Sequence, residues 1–212
     1  MPGVSSASGR SEPIRIALAS SNHGKLREYI ELAGPHIQVD LLPNFRDLPP
    51  FDESAPTFAE NAAGKALHYS RHANELVLAD DSGLVVPVLG GAPGVHSARY
   101  AGPDATDADR YRKLLREMDG KVGDARRAQF VCVIAIAREG EPITVVSDRA
   151  QGMLTNEPRG SGGFGYDPIF LFPELGRTYA ELTSAEKNQY SHRGKAFRKV
   201  IKALEGPILE PL

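Results

Sequence analysis

Apolar and polar positions along this chain follow two alternating periods. Ile14-Arg-Ile-Ala-Leu-Ala-Ser20 is a short apolar run that ends in polar residues, which predicts a first strand. Leu26, Tyr29, Ile30 and Ala33 then recur at helical spacing until Gly34-Pro35 stops them. A second strand is predicted over residues 37–42, followed by a loop carrying Pro43, Pro49 and Pro50. Thr57-Phe-Ala-Glu60 has the form of a capping box and opens a helix to about Ala73. Leu76-Val-Leu-Ala79 reads as a third strand that terminates at Asp80-Asp81-Ser82-Gly83.

The stretch from Ser82 to Asp104 is rich in glycine and proline and reads as mostly irregular. Asp107 to Met118 is an amphipathic helix. Two long strands, about 128–138 and 143–151, are separated only by Glu139-Gly-Glu-Pro142, which predicts an antiparallel hairpin. Asp167 to Phe172 reads as one more strand. Thr183-Ser-Ala-Glu186 is a second capping box, and Gly206-Pro207 stops the last helix. Strands alternating with helices early and a hairpin late predict an α/β protein with a mixed parallel and antiparallel sheet flanked by helices. No repeat or linker divides the chain, so residues 14–212 are expected to form a single domain behind a disordered leader, residues 1–13.

Composition narrows the function classes. A formal net charge of −2 argues against nucleic acid as the main partner, since binding a phosphate backbone leaves a basic footprint. It leaves room for a small phosphorylated ligand. No run approaches the roughly 18 apolar residues of a membrane span, and residues 1–13 lack the apolar core of a signal peptide. The single cysteine, Cys132, lies in an apolar run and suits a strand in a reducing compartment, hence a cytoplasmic location.

Four segments could carry chemistry. Ser20-Ser21-Asn22-His23-Gly24-Lys25 joins the first strand to its helix, where unpaired N–H groups, a glycine and a lysine could cradle phosphate; the spacing of a P-loop is absent. The alternative is a plain turn with Ser or Asn as helix cap. Asp80-Asp81 sits at the predicted strand end, so one carboxylate should face a cleft and the other serve structure. Glu53 with Asp81 would suit Mg²⁺, which typically takes one or two protein carboxylates. Gly160-Ser-Gly-Gly-Phe-Gly165 matches a dinucleotide fingerprint in letters only, because it lacks the strand before and the helix after. It reads instead as a close-approach loop presenting Phe164 and Asp167 to a flat ligand. In the last segment, Lys187 and His192 are about 140° apart on a helix and would not share a face. Ser191 could cap a new helix with stripe Ala196, Phe197, Val200, Ile201 and Leu204, placing His192 and Arg193 exposed at its N-terminus, with Lys195 following.

Taken together, the chain resembles the inosine triphosphate pyrophosphatase family, which hydrolyses non-standard purine nucleoside triphosphates. The motifs are Ser21-Asn-His-Gly-Lys-Leu-Arg-Glu28, Thr57-Phe-Ala-Glu-Asn-Ala62, Ala79-Asp-Asp-Ser-Gly-Leu84, Leu89-Gly-Gly-Ala-Pro-Gly94 with Ser97-Ala-Arg-Tyr-Ala-Gly102, Gly162-Gly-Phe-Gly-Tyr-Asp-Pro-Ile-Phe170, and Ser191-His-Arg-Gly-Lys195. The resemblance implies two lobes around a deep cleft, a homodimer and Mg²⁺. It also implies cleavage of ITP, dITP and XTP to the monophosphate and pyrophosphate. Carried over, Ser20 to Lys25 and Lys65 hold the triphosphate. Glu53 and Asp81 bind Mg²⁺, and Asp81 accepts a proton from the attacking water. Ser82 contacts the nucleotide, and Phe164, Gly165, Tyr166, Asp167, Lys187, His192 and Arg193 surround it and its base. Ser20 stands where the family commonly has Thr, which keeps the hydroxyl. Arg99 and Tyr100 are candidate interface anchors. The rivals are a Maf-like pyrophosphatase of modified pyrimidine nucleotides and a nucleotide sensor without turnover.

Overall fold

The computed structural model describes residues 12–205. The leader therefore lies almost wholly outside the described residues, as does Gly206-Pro207. The first half of the chain builds parallel structure: β1 (Ile14–Leu18), α1 (His23–Ala33), β2 (Ile37–Leu41), α2 (Phe58–Ser70) and β3 (Leu76–Val85). After β3, short 3₁₀ turns at Pro87–Leu89 and Gly94–Arg99 lead to α3 (Asp107–Glu117). The second half is antiparallel: β4 (Arg127–Arg138), β5 (Glu141–Leu154), β6 (Phe170–Phe172) and β7 (Arg177–Thr178). It closes with α4 (Ser184–Tyr190) and α5 (His192–Glu205). Among the described residues the strands form one sheet in the order β2-β1-β3-β4-β5-β6-β7. β1 pairs parallel with β2 and β3, and every later pairing is antiparallel. The mixed sheet expected from the sequence is borne out.

Two differences from the sequence reading bear on the site. β3 does not end at Ala79. It continues to Val85, paired with β4 through Asp80↔Ile134 and Asp81↔Val133. Acids and a glycine look like a turn locally, but here the long β4 offers a hydrogen-bonding partner for the whole segment. Asp167 to Ile169 is a 3₁₀ turn, so the strand after it is only Phe170–Phe172.

The apolar stripes decide which helix covers which face. Tyr29 and Ala33 of α1 and Ala196, Phe197, Val200 and Leu204 of α5 bury one face with Ile16, Leu18 and Leu78. Tyr29 and Phe197 meet edge to face at 5.0 Å. Ile30, which has the right spacing for the stripe, is instead 52% exposed. Ala62, Ala66 and Tyr69 of α2 cover the opposite face over Ala17, Val77 and Ala79. Consecutive side chains of a strand point to opposite faces. Asp80 therefore looks toward α1 and α5, and Asp81 toward α2.

β1 is short, and β3 runs on beyond it: only Leu76 to Leu78 pair with β1. The loop after β1 thus lies beside the continuing part of β3. The chain leaves β1 toward β2 on one side and reaches β3 on the other, so this is a switch point of the sheet, where α/β proteins place ligands.

Candidate active site

A cavity of about 330 Å³ opens at this switch point. Its wall takes Ser20, Ser21, Asn22 and Lys25 from the loop and start of α1, Glu53 and Lys65 from the α2 side, and Asp81 and Ser82 from β3. Phe164, Gly165, Tyr166 and Asp167 come from the glycine loop, and Lys187, His192 and Arg193 from α4 and α5. Two of the residues expected there stand aside. His23 lines a neighbouring groove with Asn44 and Arg46. Gly24 lies under the Phe164 ring, so that a Cβ at position 24 would come within 2.8 Å of it. The glycine makes room for an aromatic side chain, not for an anion.

The loop after β1 is a capped helix start. Asn22 Oδ1 accepts the N–H groups of Gly24 at 2.8 Å and Lys25 at 3.1 Å. Those two amides, expected to face phosphate, are satisfied within the protein. The cation of this segment remains: Lys25 Nζ donates to Asp80 Oδ1 at 2.9 Å.

Asp80 is completely buried, and Asp81 is 8% exposed. Burial alone would push the Asp80 carboxyl up, but Lys25 and Arg193 outweigh it and hold the group well below the usual carboxylate range. For Asp81 burial prevails and raises it, against a 3.0 Å hydrogen bond from Asn61 Nδ2. The two acids thus divide as expected: Asp80 organises cations, and Asp81 faces the cavity. Across from Asp81, Lys65 Nζ donates to Glu53 Oε1 at 2.8 Å.

At the other wall Lys187 Nζ bridges Glu28 Oε1, at 2.7 Å, and Asp167. Arg193 donates to Glu28 and, at 2.9 Å, to Ser82 Oγ. Burial disfavours charge on Glu28, yet Arg193 and Lys187 pull its carboxyl below the ordinary value. Phe164 lies over Lys187, with its centroid 4.8 Å from Nζ, and over Arg193 at 5.5 Å.

His192 stacks on Phe130 at 4.7 Å and 8°. Burial, with Arg193 and Lys187 nearby, drops its pKa well below the ordinary histidine value, so the ring is neutral. The sequence placed His192 and Arg193 as exposed residues of a helix N-terminus. Ser191 does cap that helix, its Oγ accepting Gly194 N–H at 3.0 Å, but His192 and Arg193 are only 4% and 2% exposed. The helix begins inside the protein, against β3 and β4. Lys187 sits on the separate helix α4, which is how it and His192 reach one cavity.

Glu28, Asn61, Asp107, Arg110 and Phe130 were not picked out from the sequence as site residues. Asn61 carried a usable signal: it stands four residues before Lys65, so both lie on one face of α2, beside the buried Ala62 and Ala66. Glu28 offered a weaker one, next to Tyr29 at the margin of the α1 stripe.

Each cavity cation already has a carboxylate: Lys25 has Asp80, Lys65 has Glu53, Arg110 has Asp107, Lys187 has Asp167, and Arg193 has Glu28, which it shares with Lys187. The wall is charge-balanced, with Asp81 in addition. The Ham1 family model matches residues 16–203. The chain belongs to the Ham1 family. The resemblance read from the six motifs is thereby borne out.

Among Ham1-family relatives, a protein of Geobacillus kaustophilus named dITP/XTP pyrophosphatase is 52% identical over 87% of this chain and 91% of its own length. One from Streptococcus thermophilus with the same name is 46% identical over 88% of this chain, a match spanning 58% of that longer protein. The solved structure of a HAM1 protein from Coxiella burnetii is similar with a TM-score of 0.79 and 42% identity, covering 90% of this chain and 98% of that one.

Proposed function

We propose that this protein hydrolyses non-standard purine nucleoside triphosphates, ITP, dITP and XTP, to the monophosphate and pyrophosphate, acting as a Mg²⁺-dependent homodimer. The observation that carries the reading is the single cavity joining a lysine-bearing wall, the acids Glu53 and Asp81, and an aromatic loop over buried Lys187 and Arg193. Relatives named for dITP and XTP supply the substrate class.

The charge balance argues for a metal. A triphosphate brings close to four negative charges, and the paired cations of the wall do not offset them. Asp81 uses Oδ2 for Asn61 and Glu53 uses Oε1 for Lys65, which leaves the second oxygen of each carboxylate for a cation. Among the described residues no three acids, histidines or cysteines cluster as a closed metal site. Two carboxylates with open positions suit Mg²⁺, which keeps waters and phosphate oxygens as its other ligands. Held there, Mg²⁺ supplies charge neutralisation at the phosphates and acidifies bound water.

The protein's own groups do the rest. Lys25 and Lys65 bind phosphate oxygens and stabilise the departing pyrophosphate. Asp81, with its raised proton affinity, takes the proton of the attacking water. Phe164 stacks on the base, while neutral His192 and the Lys187–Arg193 floor read its edge. Arg99 and Tyr100, considered above as dimer anchors, have partners within the chain in Glu53 and Glu117. The homodimer thus rests on the family resemblance, and light scattering at micromolar concentration tests it. Pyrophosphate release from ITP, XTP, dITP, ATP, GTP and a modified pyrimidine triphosphate, with and without Mg²⁺, tests the rest. Monophosphate and pyrophosphate from the 6-oxo purines, lost on chelation, are the expected products. Orthophosphate with a diphosphate would overturn the reading.

A further inference from the structure

The loop that carries Phe164 is fastened from another element. Gly165 N–H donates to Asp107 Oδ2 at 2.6 Å, a bond spanning 58 positions. Asp107 is the first residue of α3, and its other oxygen accepts Arg110 Nη1 at 2.6 Å. Both α3 residues line the cavity beside Gly165 and Tyr166. Arg110 Nε is buried without a hydrogen-bond partner among the described residues.

Helix capping does not account for Asp107. The N-terminus of α3 is closed by Thr106 and Asp109, which form a complete capping box. Nor does crowding account for Gly165: a Cβ there would meet nothing within 4 Å among the described residues, and its φ of +64° is the left-handed conformation that glycine adopts without strain. The backbone is thus bent at Gly165, and the N–H group of that bend is taken by a carboxylate from across the cavity. On its other side the loop is held by Phe164 N–H donating to Asp167 Oδ2 at 2.9 Å. Phe164 therefore sits between two carboxylate anchors, Asp107 and Asp167, both of which line the ligand space.

We propose that Asp107 is a positioning residue for the purine nucleotide: by accepting Gly165 N–H it holds the Phe164–Tyr166 segment over the base, with Arg110 fixing the orientation of its carboxylate. This rests on the function proposed above. Asp81 and Glu53 share no hydrogen bond with α3 or with the glycine loop among the described residues. Loss of the anchor should therefore weaken binding of the substrate and leave the chemical step alone. A bond removed from ground state and transition state alike raises KM with kcat unchanged.

The test compares D107A, D107N and wild type in steady-state pyrophosphate release from ITP with Mg²⁺, with thermal melts of each. D107A is expected to raise KM by roughly tenfold with kcat within about twofold, the loss of one charge-assisted hydrogen bond. D107N keeps one acceptor oxygen for Gly165 N–H but turns a donor NH2 toward Arg110, so its KM should rise less than that of D107A, with kcat within about twofold of wild type. An unchanged KM in D107A, an equal loss in D107N, or a fall in kcat at constant KM would each overturn the proposal. If D107A fails to fold, D107S, which suits a helix start but cannot reach Gly165, gives the same comparison. Wild-type protein inactive on ITP would overturn the proposed function itself, and with it this assignment. That outcome is distinct from a wild-type enzyme that turns over ITP alongside an unaffected D107A.

Discussion

Glu28 and Lys187 lie 159 positions apart in the chain and meet through a 2.7 Å hydrogen bond beneath the cavity. Around that bond Arg193, Asp167, Asp80 and Lys25 form one buried set of alternating charges. Removing one acid from such a set leaves it with a buried positive charge that solvent cannot offset. Glu28→Ala should therefore destabilise the protein by about 3–5 kcal/mol, because Lys187 keeps only Asp167 and Arg193 keeps only Asp80 and Ser82, and one buried positive charge is left uncompensated. Urea unfolding measures it. A loss below about 1 kcal/mol would mean that water reaches Lys187 and Arg193.

Asp81→Asn should abolish most turnover and leave a folded protein. The amide is isosteric and keeps an oxygen for Asn61 Nδ2, and removing a buried negative charge that burial already disfavours costs little. Expected kcat for ITP is below about a tenth of wild type, from loss of both proton acceptor and metal ligand. A variant above that level would show that neither role belongs to Asp81.

His192 sets a pH dependence of stability. Its folded-state pKa lies well below that of the unfolded chain, about 6.5, so the unfolded state takes up the proton first. Its contribution is complete above that value and is lost as pH falls below it, by up to about 1.4 kcal/mol per pH unit. Asp81 and Asp167, whose carboxyls are raised by burial, act with the opposite sign in acid. The informative quantity is hence the difference between wild type and His192→Gln, measured by denaturant titration from pH 7 to pH 5. It should shrink steadily toward pH 5, and a constant difference would mean that the imidazole is not held neutral.

Arg193 is expected to support selectivity for 6-oxo purines as part of a network, not as a free donor, since Glu28, Asp80 and Ser82 already engage it. kcat/KM for ITP should exceed that for ATP by at least about 10², the scale available to a site built around specific hydrogen bonds. Arg193→Lys keeps the charge but cannot span Glu28 and Ser82 together, and should lower kcat/KM more for ITP than for ATP. Equal losses would assign Arg193 to the scaffold alone.

Much of the molecule was legible before folding was considered. The periods of β1, α1, α2, the β4–β5 hairpin and α5 are written in local apolar spacing, because each element must bury one face. Lys25, Asp81 and Phe164 were readable as a set because they lie in motifs that match a known family in order, and Lys65 and Lys187 were carried over from that resemblance. The rejection of a dinucleotide fingerprint at Gly160 to Gly165 followed from what flanks it.

Local pattern could not decide which polar residues go inside. Asp80 and Asp81 look like a strand end, and become mid-strand residues because β4 pairs with them. His192 and Arg193 look like a solvated helix start, and are buried because α5 begins against the sheet. Asn22 looks like part of a phosphate cradle, and its side chain closes the very amides that were to form it. In each case the partner lies far away in sequence or competes from within the same turn. The free energy of a buried charge depends on that partner, and only the tertiary structure brings Glu28 to Lys187, or Asp107 to Gly165.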